Sequence, residues 1–170
     1  MAAEAMREKR RRGERWIKHY CSDHDILLVG EGDFSFSLCL AMAFGSATNI
    51  VATSLDSYGR YIHTCIYIVS CDELIKKYKS ARTNLAILEI MGASISHGVD
   101  ATNMKFLPNL QRQKFHRIIF NFPHAGFHKR EDHPLLIRMH RNLVRGFFRN
   151  ARSMLWLNGE IHGSVQPMEN

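Results

Sequence analysis

Ile26-Leu27-Leu28-Val29-Gly30-Glu31-Gly32-Asp33-Phe34-Ser35-Phe36-Ser37 begins with four apolar residues in a row and then turns abruptly to glycine and acid. An uninterrupted apolar run without polar alternation marks a strand buried on both faces, the situation of a parallel sheet covered by helices. The Gly-x-Gly that follows is a tight exit from the strand, and Phe34 to Phe44 reads as the apolar helix it leads into. Strand, glycine turn and helix in that order form the opening of a β-α-β unit.

Outward from this segment the same alternation continues. Asn49 to Leu55 reads as a second strand ending at Asp56. Asp72 to Met91 carries Leu74, Ile75, Tyr78, Ala81, Leu85 and Leu88 at helical spacing, with Gly92 in the C′ position that stops a helix. Ser94 to Val99 is a third strand before Asp100, and Arg117 to Phe120 a fourth running into Asn121-Phe122-Pro123-His124. A long helix is expected over 134–157, closed by Asn158-Gly159, with a fifth strand from Glu160 to Val165. The fold class is therefore α/β, a Rossmann-like and largely parallel sheet with right-handed crossovers.

In such sheets ligands bind beyond the carboxyl ends of the strands, and the unusual residues fall there. Gly30 and Gly32 let the backbone approach a ligand, and the next helix offers N–H groups at its N-terminus. Asp56 can accept hydrogen bonds from two ribose hydroxyls, and Asp100 one from an adenine amino group. Singly, each has a plainer reading as a tight turn or a helix cap. In register on three successive strands they point to a nucleoside cofactor. A dinucleotide fingerprint wants a third glycine where Ser35 stands. Glu31 and Asp33 make the loop acidic, which repels a diphosphate and suits the ammonium and sulfonium of S-adenosyl-L-methionine. An NAD-type oxidoreductase is thereby disfavoured.

Asn121-Phe122-Pro123-His124 is similar to the Asn-Pro-Pro-aromatic loop of amino-methylating enzymes, where an Asn side chain and a Pro-fixed backbone meet a planar N–H group. Together with Ile26 to Ser37, Ala52-Thr-Ser-Leu-Asp-Ser57 and Ile119-Phe-Asn-Phe-Pro-His-Ala-Gly126, this loop resembles the eukaryotic large-subunit (25S) rRNA (uridine-N(3))-methyltransferase family. The resemblance runs from about Arg15 to Ile161. It implies S-adenosyl-L-methionine as methyl donor and an rRNA uridine as acceptor. The implied cofactor residues are Gly30, Glu31, Gly32, Asp33, Phe34, Ser35, Asp56, Ser57, Asp100 and Ala101, and the implied catalytic residues are Asn121, Phe122, Pro123 and His124. The rival reading is a catalytically inactive RNA-binding or degenerate relative.

Two departures from that pattern stand out. Gly59 to Cys71 interrupts the passage from strand two to the next helix with an apolar, Tyr/Ile-rich insertion. The chain also ends where this fold usually adds two more strands, so a partial domain over 14–170, with strand five as an edge, is expected.

Charge is unevenly distributed. Residues 1–20 carry net +4, residues 21–100 net −4, and residues 101–170 net +7. Residues 1–13 read as a basic disordered tail ending in Lys9-Arg10-Arg11-Arg12-Gly13, consistent with a nucleolar or nuclear address, with the cytoplasm as the alternative. Arg138, Arg141, Arg145, Arg149 and Arg152 form one stripe on the long helix, opposite Leu136, Leu143, Phe147 and Met154. The stripe reads either as a solvated face or as a contact for RNA phosphates of an rRNA or pre-ribosomal particle. No apolar run reaches membrane-spanning length, so no membrane partner is expected. The four cysteines read as free thiols, and no Cys/His spacing fits a metal site.

If residues 59–71 are foreign to the fold, deleting them leaves thermal stability unchanged or raises it, because the loop returns toward the usual 2–6 residues. Thermal melts of the intact and deleted chains check this, and a large fall in midpoint on deletion would make the segment structural.

Overall fold

A computed structural model describes residues 13–55, 80–125 and 133–164. The chain begins with a hairpin, β1 (Trp16–Ile17) against β2 (Tyr20–Cys21), which the sequence reading did not foresee. Then come β3 (Ile26–Leu28), α1 (Ser35–Phe44), β4 (Ile50–Thr53), α2 (Ala81–Ile90) and β5 (Ser94–Ser96). A 3₁₀ turn at Met104–Phe106 precedes β6 (Phe115–Asn121), α3 (Pro134–Ser153) and β7 (Leu155–Ser164). The five longer-range strands form one sheet in the order β5-β4-β3-β6-β7, every pair parallel. This is the expected Rossmann-like α/β sheet, with β3 at its centre and β7 at one edge.

The apolar run lies where its composition demands. Ile26, Leu27 and Leu28 are each 0% exposed, because both sheet faces are covered. Ile26 and Leu28 join α1 and α2 in one core, with Leu40, Phe44, Leu85 and Leu88. Leu27 and Val29 join α3 in the other, with Ile118, Phe120, Phe147 and Met154. Burying a side chain of this size stabilises the fold by about 1.5–3 kcal/mol.

Several boundaries differ from expectation. The second strand stops at Thr53, and Leu55 is largely exposed. The third stops at Ser96, since Gly98 turns the chain at φ 68° and Val99 N–H donates to Ser54 O instead of continuing the β4 ladder. The long helix ends at Ser153 rather than 157, and Leu155 already pairs with Phe115. From there the register steps to Arg117↔Glu160, so β7 bulges over Trp156 to Gly159, and Asn158-Gly159 sits inside the strand instead of capping the helix. The bulge is tight: a Cβ on Gly159 would meet Phe115 O at 2.8 Å. Gly92, at φ 94°, does close α2 as expected. Cys21 and Cys39 are free thiols. Asp56, Ser57, the insertion at 59–71, the first part of the 72–91 helix, Cys65, Cys71 and residues 1–12 of the tail lie outside the described residues.

Asn150 fastens α3 to the loop after β5. It is 3% exposed; its Nδ2 donates to Thr102 O at 2.6 Å and Gly146 O at 3.0 Å, and its Oδ1 accepts from Lys105 N–H at 3.2 Å. Asn150→Ala would remove the amide partner of three backbone groups, Thr102 O, Gly146 O and Lys105 N–H, and should destabilise the fold by about 2–3 kcal/mol. At this chain length that lowers the melting midpoint by roughly 5–10 °C in calorimetry, and a change under a degree would deny the tie its role.

Candidate active site

Loops leaving β3, β4, β5 and β6 emerge at one edge of the sheet. Gly30 exits β3 at φ 69°, and a Cβ there would meet the Phe120 ring at 2.5 Å. The glycine is thus required by packing within the protein, a reason the sequence reading had assigned to ligand approach. Phe34 then turns into α1 in the left-handed region, φ 60°, with its side chain fully buried.

The N-terminus of α1 is already occupied. Asp33 Oδ1 accepts from Ser35 N–H at 3.0 Å, and Glu31 Oε2 accepts from Ser37 N–H at 3.2 Å and Ser37 Oγ at 2.8 Å. The expected free donors at Ser35 and Ser37 therefore face carboxylates of their own loop. A helix start whose Ser35 and Ser37 donors are taken by two acids disfavours a diphosphate and complements a cation. Burial pushes the Glu31 carboxyl above the ordinary glutamate range, the Ser37 hydrogen bonds oppose this, and Asp33 adds to it. Asn84, on the core stripe of α2, donates from Nδ2 to Asp33 O at 2.7 Å and braces the loop. Ser37 and Asn84 were missed as site residues; a polar residue at an apolar-stripe position was the available signal for Asn84.

On the neighbouring strand ends, Thr53 Oγ1 donates to Leu28 O at 3.0 Å, and Glu31 N–H donates to Thr53 O at 2.8 Å. After β5, the His97 ring meets Phe34 edge-on with centroids 5.7 Å apart. Desolvation holds His97 below the usual histidine range. Asp100 is exposed, and its Oδ1 accepts from Thr102 N–H and Oγ, both at 2.8 Å. Ala101 is buried.

β6 delivers the other group. Asn121 Oδ1 accepts from Ser164 Oγ at 3.0 Å, and Phe122 N–H donates to Ser164 O at 2.9 Å, so the end of β7 fixes the Asn amide. Phe122 is left-handed, φ 50°, and 56% exposed. A non-glycine residue held there costs about 1–2 kcal/mol and marks a turn that its surroundings impose. His124 packs on His140 of α3, centroids 4.6 Å apart. Ser164 and His140 were also missed. The five arginines of the stripe are all exposed along α3. A cavity of about 270 Å³ lies at the opposite, amino edge, between the hairpin and the end of α1, away from these loops. Among the described residues no cluster of His, Cys, Asp or Glu could hold a metal.

A family profile described as rRNA (uridine-N3-)-methyltransferase, BMT5-like, matches residues 27–170. The chain belongs to the BMT5-like family. It is 56% identical over 151 residues to heavy metal-associated isoprenylated plant protein 41 of Arabidopsis thaliana, covering 89% of this chain and 27% of that protein. An uncharacterized Arabidopsis thaliana protein is 53% identical, covering 88% of this chain and 66% of its own length. The 25S rRNA (uridine(2634)-N(3))-methyltransferase of Saccharomyces cerevisiae is 28% identical over 149 residues, 76% of this chain and 40% of that enzyme. The chain thus spans between a quarter and two thirds of these relatives. No solved structure matches it. The profile takes in the β3 glycine loop, the end of β6 and α3 together, and so identifies the chain as a methyltransferase-family domain linked to rRNA.

The raised Glu31 carboxyl has a stability consequence in this BMT5-like domain. Folding disfavours the ionised form, so the penalty is absent at acid pH, where both states are protonated, and develops as pH rises through the unfolded and then the folded pKa. Glu31→Gln keeps an acceptor for Ser37 without the charge. It should melt above wild type at pH 7.5, and the difference should vanish as the pH falls below the ordinary glutamate range. A lower midpoint at pH 7.5 would mean the charge itself is stabilising.

Proposed function

We propose that this chain carries the donor-binding and base-binding loops of an S-adenosyl-L-methionine-dependent methyltransferase acting on N3 of a uridine in large-subunit rRNA. The observation that supports it most is the turn after β6, with Asn121 pinned by Ser164 beside an exposed, left-handed Phe122. S-adenosyl-L-methionine supplies an electrophilic methyl group when bound. Gly30 to Ser35, Asp56, Ser57, Asp100 and Ala101 are the residues that would hold it, and the acid-filled start of α1 suits its positive charge.

The rest is the work of this chain's side chains. A uridine imide edge offers one N–H flanked by carbonyl oxygens. The Asn121 amide has one lone pair of Oδ1 engaged by Ser164 and, among the described residues, keeps a second lone pair and two Nδ2 donors, the complement of that edge. The exposed Phe122 ring is suited to stack on a base turned out of its helix. Pro123 restricts the backbone that follows. N3 becomes methylated only as its proton leaves. His124, half-buried three residues beyond Asn121 in the same loop, carries an imidazole that can accept it as a general base. The α3 arginines form no ion pair among the described residues and are read as the track for RNA phosphates. With an rRNA acceptor, the proposed place of work is the nucleolus or nucleus, with the cytoplasm as the alternative.

In a turnover assay with labelled donor and unmodified large-subunit rRNA, Asn121→Ala should lower the rate about 100-fold or more. Calorimetric affinity for S-adenosyl-L-methionine should be retained. Wild-type turnover in the variant removes the loop from the reaction, and NAD binding without S-adenosyl-L-methionine binding overturns the cofactor.

A further inference from the structure

Phe148 stands within the arginine track of α3. It follows Arg145 by three residues and precedes Arg152 by four, the spacings that bring helix side chains onto a common face. Its neighbour Phe147 is 2% exposed and fills the core, packed against Phe120. Phe148 is 48% exposed; it touches Phe147 edge-on, centroids 5.3 Å apart with ring planes at 61°. The core's aromatic is thus supplied by Phe147, and Phe148 turns an apolar ring toward solvent among guanidinium groups. Ile137 and Val144 lie on the same flank at helical spacing, so the ring stands at the border of an apolar strip and a cationic one.

We infer that Phe148 is a base-stacking residue, and that the RNA engaged by α3 is unpaired where it crosses this ring. The inference rests on the reading of the arginines as a phosphate track and adds the state of the RNA. Five exposed arginines over 15 residues, about 21 Å of helix, complement a polyanion. Duplex RNA offers phosphates and 2′-hydroxyls but keeps its base faces stacked, so an exposed phenyl gains nothing from it. A single strand presents phosphates and bare base faces together. Arginines take the former and an aromatic ring the latter, without regard to sequence.

Fluorescence anisotropy on the full chain tests this, with labelled decauridylate and a duplex of matching length across a salt series. Phe148→Ala should weaken decauridylate binding about 10-fold at every salt concentration, with the slope unchanged and the duplex unaffected. Phe148→Trp should restore the affinity. Because the side chain is half exposed, the melting midpoint should hold in both variants. Replacing Arg141, Arg145 and Arg149 with Gln should flatten the salt slope for both probes. If the slope flattens but Phe148→Ala binds decauridylate like wild type, or loses both probes equally, the stacking role is overturned while the track stands. If the slope does not change in the arginine variant, the track itself is wrong and the inference falls with it.

Discussion

The Phe120 ring fills the volume that a side chain on residue 30 would need. This contact links the ends of the two central strands: with the Phe120 ring of β6 seated there, β3 leaves the sheet through a glycine. The parallel register, Leu28 opposite Ile119, brings the two positions together, and Val29 N–H donating to Ile119 O holds them at 2.8 Å. Each loop that departs from this junction then contains a left-handed phenylalanine, Phe34 on one side and Phe122 on the other. Strain of that kind persists only where the surroundings over-determine the backbone. Here they do so on both sides of the junction, through the buried Phe34 ring and through the Phe122 N–H held by Ser164 O.

Polar residues on otherwise apolar helix stripes do the remaining positioning. Asn84 belongs to the Ala81-Leu85-Leu88 stripe of α2 and holds the glycine loop by the Asp33 carbonyl. Asn150 belongs to the Phe147-Ala151 stripe of α3 and holds the loop that carries Asp100. A buried amide without partners would cost a few kcal/mol, so its presence on a core stripe signals a backbone group that needs tying. The sequence reading followed the apolar members of each stripe and passed over the amides between them. Both loops were therefore located by their glycines and acids, while what holds them in place was not.

The sheet itself was legible because fully buried parallel strands leave an unambiguous mark: Ile26 to Val29 and Ile118 to Phe120 admit no half-exposed reading. Ends were less legible where two patterns overlap. Leu155-Trp156-Leu157 continues the α3 periodicity as well as it begins a strand, and only tertiary partners choose between them. Phe115 N–H donates to Met154 O at 2.9 Å and Trp156 Nε1 reaches Asp25 at 3.4 Å, contacts that a continuing helix would forgo. The hairpin went unread for a related reason. Its two-residue strands are too short for any alternation, and it is held by long-range contacts, such as Tyr20 Oη with His162 at 3.1 Å and Arg15 Nη1 with Phe44 O at 3.2 Å.

Charge is sorted by element. The acids of the β3 loop, Glu31 and Asp33, are spent on the Ser35 and Ser37 N–H groups of α1 and gather negative charge at that helix start. On α3 the arrangement is the reverse. Arg138, Arg141, Arg145, Arg149 and Arg152 make four successive like-charge neighbours at three- and four-residue spacing, each unfavourable by about 0.2–0.5 kcal/mol at low salt. Only Arg152, in the last turn, gains from the helix dipole. A face whose sole task was to meet water would lower that cost by alternating its charges. This one leaves its positive charge unneutralised among the described residues, and a polyanion laid along it would turn the mutual repulsion into attraction.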